Sequence, residues 1–146
     1  AASDVYKRQI MRSLLLMLCF AALSAQAIDG SWTGKSAGGR VSVGQQTLAG
    51  RPLRAAGPLL PAASVTRVAW RIELLGPPPP GLEIKLCAPS ICFPLTDLSG
   101  AKQINSTTAL SPESSFRFIY SVNSRGPLSP ALQVVSNQLT VNYHAR

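Results

Sequence analysis

The sequence predicts an all-β fold, a small antiparallel β-sandwich or barrel-like sandwich, following an N-terminal signal peptide. Three observations carry this. Apolar and polar residues alternate with a period of two in several separate stretches. Gly- and Pro-rich turn signals lie between them. After residue 27, no stretch holds a helical period long enough for an amphipathic helix. The 146 residues allow one domain, and a hydrophobic content of 46% excludes a wholly disordered chain.

The first segment is a targeting signal and not part of the fold. Met11 and Arg12 precede an apolar run over residues 14–23, which ends at Ser24-Ala25-Gln26-Ala27. A basic start, a short apolar core and small residues before the cut make a secretory signal, with cleavage after Ala27. The apolar run is about half of the roughly 20 residues that a membrane span requires, so no stable membrane anchor is expected. Leu18, just before Cys19, is too large for a lipoprotein signal. Residues 1–10 have neither signal nor core patterning and are read as an upstream, non-native extension. The expected organisation is therefore an extension at 1–10, a signal peptide at 11–27 and one β-sandwich domain at 28–146.

Removing residues 1–27 takes away Lys7, Arg8, Arg12 and Asp4. The formal charge falls from +8 to +6, with 11 basic and five acidic residues on 119 positions. Strands are expected in order. Residues 31–36 and 40–43 are weak candidates. Residues 45–63 are irregular, and their prolines disfavour a central strand. An edge strand plus a long surface loop fits this segment, either as a binding element or as a tolerated insertion. Residues 65–75 place Val68, Trp70, Ile72 and Leu74 on one face against Arg67, Arg71 and Glu73. Residues 82–86 alternate in the same way, and residues 91–95 form a shorter candidate. Phe116, Phe118, Tyr120 and Val122 share a face, as do Leu139, Val141 and Tyr143; residues 132–135 make another short candidate. The turn signals are Gly38-Gly39, the run Gly76-Pro77-Pro78-Pro79-Pro80-Gly81, Ser99-Gly100 and Arg125-Gly126-Pro127. The proline run is read as a stiff connection between strands.

Little chemistry is available. Cys87 and Cys92 flank Ala88-Pro89-Ser90-Ile91, a turn across which a disulfide fits an oxidising compartment. Two thiols without nearby His do not fill a zinc site, and the spacing is not that of a thioredoxin-type pair. His144, the only histidine, lies three residues from the end and serves as a base only if the terminus docks back. Glu73 and Glu83 would suit glycosidase work if neighbouring, but both alternate with basic residues, so solvated cross-strand charge pairing is expected instead. No phosphate loop, dinucleotide fingerprint or metal constellation is present. No enzyme activity, catalytic residue, metal or cofactor is expected. The basic residues are scattered, which argues against nucleic acid and leaves weak attraction to cell-wall polymer or anionic lipid.

Two blocks carry a family resemblance. One runs from Val68-Ala69-Trp70-Arg71-Ile72-Glu73-Leu74 through the Gly-Pro turn into Gly81-Leu82-Glu83-Ile84-Lys85-Leu86-Cys87 and closes at Cys92. The other runs from Phe116-Arg117-Phe118 to Pro130-Ala131-Leu132-Gln133-Val134 and Ser136-Asn137-Gln138-Leu139-Thr140-Val141-Asn142-Tyr143. With Gly30-Ser31-Trp32 near the start, this resembles the FlhE family of flagellar proteins of Gram-negative bacteria. The likeness is patchy over residues 44–63 and 100–115. It implies a small periplasmic accessory protein of flagellar assembly, with Cys87 and Cys92 matching the family's cysteine pair. The action would be that of a chaperone or plug, on secreted rod, hook or filament subunits or on the export gate, limiting proton leak. The implied partners are those proteins, and the resemblance supplies no partner-binding residues. The rival from another class is a periplasmic cell-wall or glycan-binding β-module. Such modules stack sugars on aromatics, whereas Trp70 sits on an expected core face.

Overall fold

The alternating stretches form two antiparallel sheets packed face to face in a computed structural model, which describes residues 28–105 and 107–145. The signal peptide, the cleavage after Ala27 and the upstream extension lie outside the described residues. Nine strands follow one another: β1 (Ile28–Ala37), β2 (Arg40–Val43), β3 (Leu48–Ala49), β4 (Ala63–Leu74), β5 (Leu82–Cys87), β6 (Cys92–Leu95), β7 (Ser99–Gln103), β8 (Arg117–Val122) and β9 (Pro127–Ala145). The first sheet has the order β1-β9-β4-β7, with β2 also paired to β9. The second has the order β3-β8-β5-β6.

The expected faces point inward. Phe116, Phe118, Tyr120 and Val122 from the β8 stretch are buried against Val68, Trp70, Ile72, Leu139 and Val141 of the opposite sheet. Removing such side chains from water is the main stabilising term of the fold. In β4 the alternation slips once. Val65 and Val68 are both buried because Thr66 is an extra residue: Val65 pairs with Tyr143 and Arg67 with Asn142. This is a β-bulge, and it keeps an odd-spaced pair of valines on the core side.

Four expectations are corrected. Ser99-Gly100 is not a turn but the start of the edge strand β7, which pairs Gly100 with Trp70. A Cβ on Gly100 would stand 3.0 Å from the Trp70 indole, so the bare backbone lets that ring lie across it. Gly38-Gly39 does not reverse the chain. β1 and β2 run one after the other along the same neighbour, β9. At the break, a Cβ on Gly38 would run into the Val134 carbonyl oxygen, a close approach that only glycine permits. Residues 132–135 and 139–143 are not two strands but parts of the 19-residue β9. The C-terminal end is not a frayed tail, since His144 pairs with Asp29 of β1 on one side and Ser64 of β4 on the other.

One end of the sandwich is closed by residues 104–105 and 107–116, whose Ile104 and Leu110 are buried. Backbone bonds from Val65 to Leu110 and from Ile104 to Thr66 hold this segment, and the Trp32 indole donates to the Pro112 carbonyl at 2.8 Å. The opposite end carries the turns after β2, β4 and β8.

Candidate functional site

The expected chemical groups are dispersed. Glu73 lies in the first sheet opposite Ser136, and Glu83 lies in the second opposite Ser121. They are not neighbours, and the expected cross-strand charge pairing does not form. Arg71 faces Ser99 and Gln138, while Lys85 faces Pro94 and Ile119. Among the described residues the one close contact between a basic side chain and a carboxylate is a hydrogen bond between His144 Nδ1 and Asp29 Oδ1, 2.6 Å apart on an exposed strand end. No group of three His, Cys, Asp or Glu among the described residues is placed to hold a metal. No helix there is long and apolar enough to cross a membrane. Cys87 and Cys92 face each other across the β5–β6 hairpin and form a disulfide, with their Cα atoms 4.1 Å apart. The turn is closed by the Ala88 N–H donating to the Ile91 carbonyl.

The irregular segment divides as an edge strand plus a surface loop. β3 pairs with β8, and Leu53 continues that edge by exchanging two backbone hydrogen bonds with Phe116. Leu53 is a core residue, 6% exposed, so the first part of the segment is not a free binding loop. Residues 57–61 do lie at the surface, with Leu60 39% exposed.

A different surface has the shape of a binding site. β4 pairs with β9 as far as Leu74 opposite Val134, and one further bond runs from the Leu75 N–H to the Gln133 carbonyl at 3.0 Å. Gly76 and four prolines follow. Proline has no N–H to donate, so the chain cannot continue as a ladder strand and leaves β9. Residues 127–132 of β9 are therefore paired only with β2, on one side. Between them and residues 77–80 lies an open cleft of about 820 Å³. Its walls are in large part apolar, since Leu74, Leu75, the proline run and Leu128 line it, and Leu75 is 70% exposed. Arg40 and Arg125 also line it, and no carboxylate does.

Local bonding holds this end in place. Gly44 donates to the Gly126 carbonyl at 2.9 Å, Gln45 to the Val122 carbonyl at 2.9 Å, and Asn123 to the Gly81 carbonyl at 2.7 Å. The Gln45 side-chain amide reaches Asn123 Oδ1 at 3.0 Å. These bonds tie the turns after β2, β4 and β8 together, so Arg125 and the proline run are presented on a braced frame. The hydroxyl of Ser124, which also lines the cleft, is buried and has no partner there. In the sequence Arg125 marks only a turn and Arg40 only the start of a weak strand, and neither stands out as a binding group. The available signal was the second proline cluster, Pro127-Leu128-Ser129-Pro130, following the first at the end of a long strand.

The model of the flagellar protein FlhE family matches residues 39–144. This chain belongs to the FlhE family. FlhE of Escherichia coli K12 is 36% identical over 133 residues, covering 91% of this chain and 99% of that protein. FlhE of Salmonella typhimurium LT2 is 37% identical over 134 residues, with the same coverage of each. A crystal structure of FlhE superposes with a TM-score of 0.71 at 35% identity, spanning 79% of this chain and 96% of that one. The FlhE membership places the chain among flagellar accessory proteins, and the structural likeness agrees with the two-sheet fold. FlhE is not a family of known enzymes, in keeping with the scattered titratable groups. Glycan recognition would need an exposed aromatic platform. Among the described residues Trp32, Trp70, Phe93, Phe116, Phe118, Tyr120 and Tyr143 are all buried. Both indole N–H groups are taken by backbone carbonyls, Trp70 donating to Asp97 at 2.9 Å.

Proposed function

We propose that this protein works in the periplasm, after removal of a signal peptide at Ala27, and keeps flagellar assembly orderly by holding flagellar polypeptides. It acts as a chaperone or a plug on rod, hook or filament subunits or on the export gate, and so limits proton leak. The observation that carries this reading is membership of a flagellar protein family by a chain that presents an open cleft walled in large part by leucines and prolines. Binding without chemistry suits such a surface, because apolar walls and a few placed polar groups select a segment of polypeptide. Export agrees with the Cys87–Cys92 disulfide, which persists in oxidising compartments.

In-cell crosslinking in a flagellated Gram-negative host, followed by mass spectrometry, tests the reading. Rod, hook, filament or export-gate subunits are the expected captures. Recovery of peptidoglycan with no flagellar protein would overturn it in favour of a cell-wall-binding module.

A further inference from the structure

We infer that the cleft takes an extended polypeptide segment rich in apolar residues and carrying carboxylates, and that the segment adds to the free side of β9 as an extra strand. The inference rests on the reading that the protein holds polypeptides, and it names the place and the chemistry. Three features of one site converge on it.

The first is backbone. Pairing of β9 with β4 stops at Val134, so residues 127–132 present one unpaired side to the cleft. The Gln133 carbonyl, bonded to the Leu75 N–H, points to that side. Strand alternation then turns the N–H and C=O of Ala131 the same way. An incoming strand would extend the line that β4 abandons at Leu75. The prolines keep the chain itself from filling that position, and they bring no competing donors.

The second is the wall. Leu75 is the most exposed large apolar side chain among the described residues. It lines the cleft together with the proline run and Leu128, which fits an occupant with apolar side chains. Proline walls are already rigid, so little conformational entropy is lost on binding.

The third is charge. Arg40, opposite Gln133, and Arg125, in the β8–β9 turn, both line the cleft without an acidic neighbour in its lining. Guanidinium groups bind carboxylates through paired hydrogen bonds. A formal charge of +6 over residues 28–146 favours an acidic partner over a basic one.

The test uses the full chain purified after export, and a labelled ten-residue synthetic peptide alternating Val or Leu with Asp. Two control peptides carry Asn in place of Asp, or N-methyl groups on alternate residues that block strand pairing. Binding is read by fluorescence anisotropy and mapped by amide NMR shifts. The Asp peptide should bind and shift residues 75–81 and 125–133. The Asn peptide, the N-methylated peptide and the Arg40→Glu/Arg125→Glu variant should each bind at least tenfold more weakly. Both arginines are exposed, so the variant should keep its urea midpoint. Equal binding of the N-methylated peptide would overturn strand addition. Shifts confined to β7 or residues 57–61, concentration-dependent self-association through the cleft, or binding of an anionic muropeptide and not of the Asp peptide would overturn the proposed occupant. The two readings separate in the cell. Flagellar crosslinks that survive Arg40→Glu/Arg125→Glu would sink the cleft and leave the accessory role standing. Peptide binding in the cleft without any flagellar crosslink would do the reverse.

Discussion

Tyr120 and Asn137 join the two sheets through the middle of the core, and cutting that link should cost more than the size of the atoms removed. Tyr120 is on β8 and Asn137 on β9, and both are wholly excluded from solvent. The Tyr120 hydroxyl donates to Asn137 Oδ1, and Asn137 Nδ2 donates to Ser36 Oγ on β1 at 2.9 Å. Tyr120→Phe keeps the ring and leaves Asn137 Oδ1 buried without a donor, a cost of about 1–3 kcal/mol. Asn137→Leu leaves the tyrosine hydroxyl stranded at a similar cost of about 1–3 kcal/mol. The double variant strands neither group, because Ser36 is half-buried and reaches water. It should therefore be more stable than the sum of the singles predicts, by about 1–2 kcal/mol of coupling. Urea unfolding followed by the fluorescence of Trp32 and Trp70 reads this directly. With a urea slope of about 2 kcal/mol per molar, a loss of about 2 kcal/mol moves the midpoint by about 1 M. A single variant that costs under about 0.5 kcal/mol, or two costs that simply add, would refute the account of the tie as a buried, coupled pair.

Burial also pushes the Tyr120 hydroxyl well above its ordinary pKa. The unfolded chain then releases that proton near pH 10 while the folded chain keeps it, so stability is full below about pH 10 and falls above it, by up to about 1.4 kcal/mol per pH unit. Urea midpoints from pH 8 to 11.5 should show this slope, and Tyr120→Phe should flatten it. Leu53→Ala should cost about 2–5 kcal/mol as a core truncation, whereas Leu60→Ala, only a few residues on, should change stability by under about 0.5 kcal/mol; thermal melts separate the two. Reducing the Cys87–Cys92 disulfide should cost about 2 kcal/mol, since the loop it closes is short, and should leave the circular dichroism of the folded sheets in place.

Strands with one wet and one dry face were legible because alternation records both environments. The β8 face from Phe116 to Val122 and the β4 face from Val68 to Ile72 are of this kind. β7 was not legible: all five of its side chains are exposed, and its glycine serves Trp70 from another strand. The length of β9 was hidden for the opposite reason. Pro127 and Pro130 look like breaks, yet they fall where β9 has a neighbour on one side only, the setting in which proline is tolerated in a sheet. The cleft lies beyond local pattern altogether. Arg40, Leu75, Arg125 and Leu128 are scattered over some ninety positions and meet only through the pairing of β2 and β4 with β9. Glu73 and Glu83 are close in sequence and both on wet strand faces, yet the crossing of the chain between sheets separates them.

The place of β9 sets a schedule for folding. β1, β2 and β4 have in common one neighbour, and it is the last strand of the chain. A ribosome releases it last, so more than four-fifths of the molecule emerges with three strands of the larger sheet still lacking that neighbour. Among the described residues only the β5–β6 hairpin pairs two strands that follow one another in sequence. Such non-local pairing makes folding slow, because distant segments must meet before any contact rewards them. The nascent chain thus stays threadable until its final residues are free, and the closing strand acts as a latch that cannot be set early.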